Sequence, residues 1–524
     1  MKYLISICIL TIISILPSYA QVPGSNVFDF NGIHDIYITF TQPNYLDSLI
    51  YYKEQGDITG DYKYMETTIN FDGQIINSTG IRLKGNSSFA GSGIKKSIKL
   101  KFNKYVSGQK LDGMDKINLN NNFNDPTLMR EKLFLDVLGE TNVYAPRCVY
   151  SRVYINNNYW GLYTIVDQIE KTYLETNFVD NDGNLYKGDK NPWMTCANLS
   201  YSPDPMDYRD CYTLKTNESL NDWTGLENLI DIINNTPLPN YNNTLNAALD
   251  ATSFINAWAA NIVFVNVDSY VETGHNFYIY ENPANGKFQW ISWDVNESFG
   301  LWNIGMPLDQ LYNLDIFYLP PNAQFDRPLS YYMLQDSTYR KMYTDKVFEL
   351  VCEQLTIDHL YPKIDSLYNM IKPDVYADSN KIIGNMDFEN NIDVDIYIPG
   401  YPGWVPGLKQ FIAERRDTLI SQLTALGYNM NNCYLLGVDE YIDDDISIYP
   451  NPTNNLLTIE FNNPSSSPFE IAIYDNLGRI VHGSNFIIDE KIEIDVRNFK
   501  NGIYHYTLFF PTKNLRSTGK FIKN

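Results

Sequence analysis

The chain has 524 residues and a formal net charge of −22 at neutral pH. This acidity argues against a nucleic-acid partner, because phosphate contacts need clustered Lys and Arg. The length predicts two or more domains, and no stretch beyond the first residues is long and apolar enough for a transmembrane helix.

The amino terminus has the pattern of a secretory signal peptide. Met1 and Lys2 give a short basic start, residues 3–16 are apolar, and the small residues Ser18 and Ala20 suit a cleavage site. The apolar run is too short to span a bilayer comfortably. We therefore predict cleavage after Ala20 and a protein that is secreted or attached to the outer-membrane surface.

Five of the six cysteines lie beyond the predicted signal peptide, so at least one stays unpaired in the exported chain. Cys196 and Cys211 bracket a polar loop and are the first choice for a disulfide. Cys352 with Cys433 is the second choice, and Cys148, in an apolar run, is predicted to be a buried thiol. No pair has the C-x-x-C spacing of a zinc site.

The first part of the chain predicts mainly strands. In residues 97–102, Ile98 and Leu100 share one face and Lys99 and Lys101 share the other. Similar alternation predicts further strands at residues 35–40, 67–71, 80–84, 148–155 and 160–166.

One helix is predicted among these strands. Asp125 suits its N-cap, Pro126 its first helical position, and Gly139 its end. Residues 191–218 form a polar insertion with little periodicity.

A β-hairpin is predicted at residues 275–280 and 288–293, with its turn at 282–286. Asp268 and Asp294 lie at its two ends, which a hairpin brings together. One Asp near a hydroxyl nucleophile and one on Mg²⁺ is the arrangement that phosphoryl transfer requires. The alternative is that Asp268 caps a turn and Asp294 ends a strand.

The remaining pattern predicts an α+β protein with two domains. Helical periodicity at residues 245–265, 339–355, 358–371 and 408–426 contrasts with the β-rich first half. That order predicts one two-lobed domain over residues 24–428, with a cleft between a β-rich and a mainly helical lobe. Residues 429–445 are an acidic linker, and the short alternating strands of residues 446–524 predict a small immunoglobulin-like β-sandwich.

Several short motifs are spread along residues 446–524: ISIYPNP at 446–452, IYDNLGR at 473–479, NGIY at 501–504 and GKFIK at 519–523. Together they resemble the type A sorting domain of the Bacteroidetes type IX secretion system. The resemblance implies recognition by that secretion machinery, cleavage, and often attachment to the cell surface. The alternative is an ordinary immunoglobulin-like adhesion module.

A second series of motifs runs through the large domain: RLKGNSS at 82–88, KKSIKLKF at 95–102, VYIN at 153–156, GLYTIVDQ at 161–168, LYK at 185–187, NVD at 266–268, HNFYIY at 275–280 and WDVN at 293–296. Asp125 and Arg130 belong to the same series. The series resembles the spore-coat CotH kinase family, in family order, over roughly residues 28–420. That resemblance implies an atypical protein-kinase-like fold that uses ATP with Mg²⁺ or Mn²⁺ to phosphorylate protein Ser or Thr.

The resemblance assigns roles to the two carboxylates. Asp268 is the candidate base for the attacking hydroxyl, and Asp294 is the candidate metal ligand. Asn276 and Asn296 offer amide oxygens as further ligands. Relatives usually carry Asp at the position of Asn296, so this chain has one negative charge fewer for a second metal. Glu297 is expected to point elsewhere.

The nucleotide would contact motifs of the β-rich first half. Arg82 and Lys84 flank the flexible Gly85 in a loop suited to phosphate. One of Lys96 and Lys99 would bind the α- and β-phosphates; they face opposite ways, and Lys96, on the face of the interior residues, is favoured.

Two further positions complete the predicted site. By resemblance, Asp167 ends the strand where the lobes join and meets adenine, although relatives often carry Glu there. His275 is expected to pack or to donate a hydrogen bond, because the chain lacks a Ser-His-Asp pattern.

Three functions follow from these residues. The first is an exported CotH-like kinase of Ser or Thr in exported proteins, with an unknown substrate. The second is a surface binding or structural protein that keeps the fold with little or no catalysis, which Asn296 and the scarcity of ATP outside the cytoplasm favour. The third is another phosphoryl or nucleotidyl transferase using the same cleft.

Overall fold

A computed structural model describes residues 22–524 except 92, 189–196, 304, 401–402, 431–432, 434–445, 462–468, 475–479, 488–490 and 511–514. The predicted signal peptide and Cys196 lie outside the described residues. Cleavage after Ala20 and the disulfide between Cys196 and Cys211 therefore stay predictions. The chain divides into two compact units, one of residues up to 347 with 357–418 and one of 348–356 with 419–524.

Seven strands of the first unit close into a barrel, in the order β1-β2-β3-β4-β5-β7-β6. Their bounds are β1 Ile33–Thr39, β2 Met65–Phe71, β3 Gln74–Leu83, β4 Ile98–Lys101, β5 Lys116–Asn120, β6 Cys148–Ile155 and β7 Asn158–Asp167. Neighbours are antiparallel except β1 and β6, which pair in parallel and close the barrel. Alternate apolar residues, such as Ile81, Leu100 and Leu119, fill its interior.

A second sheet of the same unit has the order β11-β10-β8-β9. Its strands are β8 Leu185–Lys187, β9 Thr213–Leu214, β10 Phe277–Asn282 and β11 Lys287–Ser292. Strands β10 and β11 pair in register from Phe277 opposite Ser292 to Asn282 opposite Lys287, which confirms the predicted hairpin. A small pair, β12 Ile396–Ile398 and β13 Gly403–Val405, lies near the end of the unit.

Most of the helices come after the second sheet begins. Their bounds are α1 Ser25–Phe28, α2 Tyr45–Thr59, α3 Ser87–Ala90, α4 Arg130–Glu140, α5 Lys171–Asn177, α6 Met206–Cys211, α7 Thr224–Asn235, α8 Leu238–Ala248, α9 Ala251–Val263, α10 Leu308–Tyr312, α11 Ala323–Asp326, α12 Pro328–Gln335, α13 Ser337–Glu353, α14 Ile357–Ala377, α15 Asn385–Asp393 and α16 Leu408–Ala425. The helices predicted at 339–355, 358–371 and 408–426 are confirmed. Among the helices of the described ranges, none is both long and apolar enough to cross a membrane.

The predicted start of helix α4 is wrong. Asp125 does not cap the helix; its two carboxylate oxygens accept hydrogen bonds from the backbone N–H of Thr127 (2.9 Å) and of Arg130 (2.7 Å). These bonds close a turn, within which Leu128 has a φ of 55°. Since that conformation lies outside the helical region, helix α4 begins at Arg130.

The second unit ends in two antiparallel sheets, β14-β15-β18 and β17-β16-β19-β20. Their strands are β14 Ile446–Tyr449, β15 Leu456–Phe461, β16 Phe469–Tyr474, β17 Ile480–Ile487, β18 Lys491–Asp495, β19 Gly502–Phe510 and β20 Leu515–Lys523. Apolar residues of both sheets, among them Ile459 and Leu508, share one core. The predicted small all-β region is confirmed.

Two cysteine predictions are also confirmed. Cys352 and Cys433, both in the second unit, form a disulfide. Cys148 is a buried free thiol in β6.

Candidate functional site

Basic side chains project from the outer face of the barrel in two rows. In the first row Arg82 of β3 lies opposite Lys99 of β4, which lies opposite Asn118 of β5. In the second row Lys84 donates a hydrogen bond from Nζ to Oδ1 of Asn120, at 2.7 Å. Residues directly opposite one another in antiparallel strands share a face, so both rows lie on one surface of the barrel.

The two lysines of these rows lie in an environment that disfavours their charge. Burial lowers the pKa of Lys99 well below its usual range, and the positive charges of Arg82 and Lys84 lower it further. Burial also lowers the pKa of Lys84, but there the negative charges of Asp294 and Glu131 act in the opposite direction. The basic rows therefore meet acidic side chains at Lys84.

The other candidate lysine, Lys96, lies apart from both rows. Its Nζ donates hydrogen bonds to the carbonyl oxygens of Phe89 and Gly91, both at 2.7 Å. The structure thus brings Lys99, and not the favoured Lys96, to Lys84. The interior-facing direction that favoured Lys96 leads towards the barrel core, whereas the predicted site residues gather on the outer face.

Arg82 stays at the edge of the first row because tyrosines hold its guanidinium group. Its Nε donates to the hydroxyl of Tyr64 at 3.3 Å, and its Cζ lies 4.7 Å from the ring centroid of Tyr62. Gly85, after Lys84, has a φ of 92°, which suits glycine.

Asp167 ends strand β7 as predicted, but its carboxylate is paired with an arginine. Arg147 donates to its Oδ2 from Nε at 3.0 Å and from Nη2 at 2.7 Å. The next residue, Gln168, faces the other way and accepts a hydrogen bond from Asn118 at 3.3 Å. The side chain that reaches the basic rows at this strand end is therefore that of Gln168.

The hairpin brings three of the other predicted residues together. Asn276 donates from Nδ2 to the backbone oxygen of Asp268 at 2.9 Å and to its Oδ2 at 3.2 Å. The backbone N–H of Trp293, just before Asp294, donates to the backbone oxygen of Asn276 at 3.2 Å. Asn276 and Asp294 both have positive φ angles, of 61° and 54°. Such strain persists only where surrounding structure enforces it, and it concentrates at functional sites.

Glu297 turns towards the same carboxylates, so the expectation that it points elsewhere is wrong. Burial raises the pKa of Glu297 well above its usual range, and the negative charges of Asp268 and Asp294 raise it further. Asn296 donates from Nδ2 to Oε1 of Glu297 at 3.2 Å. Glu297 therefore lies near both aspartates.

His275 contacts the candidate base directly. Its Nε2 lies 3.1 Å from Oδ1 of Asp268, so the imidazole and the Asn276 amide hold different oxygens of that carboxylate. Whether His275 packs or forms a hydrogen bond stays a prediction.

Two further residues, Lys187 and Glu131, lie near these groups, although no role was predicted for either. Nζ of Lys187, in β8, lies 5.5 Å from the ring centroid of Trp293, and Nζ of Lys84 lies 5.6 Å from the same centroid. Glu131, in the first turn of α4, accepts a hydrogen bond from Asn120 at 2.6 Å. The LYK motif was the available signal for Lys187, whereas nothing local distinguished Glu131.

Asp294, Glu131, Glu297, Lys84 and Lys187 form a cluster around the end of the hairpin. It contains buried oxygen atoms that suit a cation and lysines that suit a phosphate. Oε2 of Glu131, Oε2 of Glu297 and Oδ1 of Asn118 are buried and have no hydrogen-bond partner among the described residues. Such atoms are costly unless a ligand or water satisfies them. No three His, Cys, Asp or Glu side chains in the described part of the chain are grouped closely enough to hold a metal alone. A Mg²⁺ ion here would complete its shell with phosphate oxygens and water, as it commonly does.

Glu131 gives a test of this buried environment. Burial, reinforced by Asp294, raises the pKa of Glu131 from 4.5 to about 8. Between these values the folded protein holds a proton that the unfolded chain has released, so the stability contributed at this residue falls as the pH rises. We expect the thermal midpoint of the wild type to fall relative to that of Glu131→Gln between pH 5 and 8.

The matched control is Glu175→Gln, at an exposed position of α5. Its midpoint should follow the wild type across the same range. Parallel curves for wild type and Glu131→Gln would contradict the raised pKa.

Fold and site together define a mixed α/β protein with a separate all-β module. A family model described as CotH kinase protein matches residues 81–419, and the chain therefore belongs to that family. A second model, the secretion system C-terminal sorting domain, matches residues 447–524. The sorting domain indicates a secreted or cell-surface protein and implies the type IX secretion machinery as a partner.

The chain is also similar to three curated proteins. It is 27% identical to the inner spore coat protein H of Bacillus subtilis over 288 residues, which cover 54% of this chain and 75% of that one. It is 23% identical to invasin CotH3 of Rhizopus delemar, over 48% of this chain and 43% of the invasin. Invasin CotH2 of the same organism is 22% identical, over 51% of this chain and 47% of the invasin. The chain thus spans less than half the length of either invasin.

Proposed function

We propose that this protein is an ATP- and metal-dependent kinase that phosphorylates Ser or Thr of exported proteins. The observation that carries the proposal is the meeting at Lys84 of the basic rows and the acids Asp294 and Glu131. These groups come from the barrel, from helix α4 and from the end of the hairpin. A phosphate-binding lysine beside a buried glutamate and a metal-binding aspartate is the set that phosphoryl transfer requires.

The barrel face would hold the nucleotide along the two rows. Asn118 links Lys99 of the first row to Gln168 at the end of β7, where the family resemblance puts adenine. Lys84, which follows the end of β3, lies near enough to Asp294 for their charges to interact. The base would therefore lie towards Gln168 and the terminal phosphate towards Asp294. In this assignment the barrel is the first lobe of a kinase-like domain, and the second sheet with its helices is the other.

The metal would be held at the Asp294 end. When bound, Mg²⁺ neutralises charge on the transferred phosphoryl group. Asp294 supplies a carboxylate, and Asn276 and Asn296 each keep an amide oxygen while their Nδ2 atoms donate to Asp268 and Glu297. These two hydrogen bonds orient the amides so that the oxygen, and not the nitrogen, is left for the metal.

Asp268 would accept the proton of the substrate hydroxyl. Asn276 and His275 bind its two oxygens from different sides, which fixes the orientation of the carboxylate without neutralising it by a lysine or arginine. A general base needs such a fixed position within hydrogen-bond reach of the hydroxyl.

A second candidate function is that of a surface binding or structural protein with weak or no catalysis. The observation that favours it is Asn296, an amide at a position where the family resemblance implies Asp. Loss of that carboxylate removes one negative charge from the metal end of the cluster.

The test is phosphate transfer by the mature full-length protein. We expect transfer from γ-labelled ATP, with Mg²⁺ or Mn²⁺, to protein Ser or Thr, and we expect Lys99→Met to lower it at least about tenfold because a charged contact to phosphate is lost. The control is Lys101→Met, on the same strand and face but beyond the first row. Absence of both nucleotide binding and label in the wild type would contradict the kinase and favour the second candidate.

A further inference from the structure

Lys187 occupies a special position at the end of strand β8. It lies opposite Tyr278 of β10 and Thr213 of β9, so it belongs to the second sheet and not to the barrel. Its Nζ lies 5.7 Å from the ring centroid of Tyr278 and 5.5 Å from that of Trp293. Its ammonium group is therefore directed at the ring of the residue that precedes Asp294.

Lys84 approaches the same ring from the barrel. Its Nζ is 5.6 Å from the centroid of Trp293, and the tryptophan is only 5% exposed. Two ammonium groups from separate sheets thus converge on one buried aromatic ring. Cation–π attraction to a shared ring brings like charges together, and a negatively charged group near both ammonium groups relieves their repulsion.

The repulsion extends to the first row. The positive charge of Lys187 lowers the pKa of both Lys84 and Lys99, after the larger effect of burial. Lys215, in the loop after β9, acts on Lys99 in the same direction. Several positive charges from two sheets thus lie close together and partly buried. Such a site suits an anion with several negatively charged groups, each of which can contact a different lysine.

We propose that Lys187 is a phosphate-binding residue that closes the site opposite Lys84 and contacts the β- and γ-phosphates of a nucleoside triphosphate. The proposal rests on the proposed function and deepens it. We assign Lys187 to the terminal phosphates because Trp293, whose ring both lysines approach, immediately precedes Asp294, the candidate metal ligand. The first row, with Lys99 and Gln168, would then serve the α-phosphate and the base.

The experiment measures binding rather than turnover, with the mature full-length protein and three probes: ATP, inorganic tripolyphosphate and adenosine. We expect Lys187→Met to weaken the binding of ATP and of tripolyphosphate at least tenfold, because a hydrogen bond between two charged groups is lost. Adenosine binding should not change. Methionine keeps most of the apolar length of the side chain and removes only its charge.

Two further variants make the result specific. Lys187→Arg keeps the positive charge and should retain most of the affinity for tripolyphosphate. Lys171→Met, at an exposed lysine of α5 that pairs with Asp182, should bind all three probes as the wild type does. Circular dichroism and the thermal midpoint of each variant would detect any loss of fold.

The outcomes separate this inference from the kinase proposal. Wild-type affinity for tripolyphosphate in Lys187→Met would overturn the role of Lys187, even if the wild type transfers phosphate. A wild type that binds none of the phosphate probes would overturn it as well. A loss of affinity in Lys187→Met, in a wild type that binds ATP but transfers no phosphate, would support Lys187 and contradict the kinase.

Discussion

Replacing Asp294 with Asn is expected to lower phosphate transfer by about 10³-fold or more, with the fold intact. The substitution removes the negative charge of the Asp294 carboxylate, which interacts with both Lys84 and Glu297. Electrostatic groups at the transferred phosphoryl are worth this much in comparable enzymes. The measurement is the initial rate of labelling from γ-labelled ATP with Mg²⁺, together with the thermal midpoint.

Two other variants locate the effect. Asp268→Asn should lower the rate by about 10²–10⁴-fold at unchanged ATP affinity, because a general base acts only on the hydroxyl. Asn296→Asp adds the carboxylate that the family resemblance implies and should not lower the rate. If Asp294→Asn labelled its substrate at the wild-type rate, Asp294 would have no part in transfer.

Replacing Asp378 with Ala is expected to destabilise the first unit by about 3–5 kcal/mol, because it leaves the Lys95 ammonium buried without a counter-charge. The Asp378 side chain is 0% exposed, and its Oδ2 accepts hydrogen bonds from Nζ of Lys95 at 2.5 Å and from the backbone of Leu162 at 3.1 Å. Its Oδ1 accepts from the backbone of Asn380 at 3.0 Å. The measurement is the free energy of unfolding in urea, followed by fluorescence.

The control for this prediction is an exposed ion pair of the same unit. Asp182 is 84% exposed and pairs with Lys171, so Asp182→Ala should cost no more than about 1 kcal/mol. The double variant Lys95→Met/Asp378→Leu should recover much of the stability, since neither charge then remains buried. Equal losses for Asp378→Ala and Asp182→Ala would show that the buried pair contributes nothing special.

The position of Asp378 also explains a glycine of the barrel. Gly161 of β7 has a φ of 143°, and a Cβ added there would lie 2.4 Å from Oδ2 of Asp378. The carboxylate can therefore reach Lys95 only because Gly161 has no side chain. This packing ties the segment after α14 to the barrel near β4 and β7.

The sequence alone determined the features that depend on neighbouring residues. Alternation in residues 97–102 predicted strand β4 and the opposite faces of Leu100 and Lys99, and turn residues predicted the hairpin of β10 and β11. The order of several motifs along the chain identified the CotH family and the sorting domain, which no single motif could have done. The motifs selected Asp268 and Asp294. In the structure, Asn276 of the hairpin contacts both Asp268 and Trp293, the residue before Asp294.

Local patterns failed in two places. Asp125 looked like an N-cap, but the Arg130 side chain and backbone draw its carboxylate into a turn. Lys96 was favoured over Lys99 because it faces the interior, yet the interior of a closed barrel is apolar, and Arg82 and Lys84 lie with Lys99 on the outer face. Closure itself depends on the parallel pairing of β1 with β6, more than a hundred residues apart in the chain.

Sequence patterns therefore decided neither which lysine lies near Lys84 nor which acidic residues accompany it. Glu131, Lys187 and Glu297 join the predicted residues because the fold brings the barrel, helix α4 and the end of the hairpin close together. Electrostatic interactions depend on distance and burial, which sequence separation does not report. Residue type and order determined the family, the export route and the candidate carboxylates; the tertiary structure decided which charged groups lie close enough to share one phosphate.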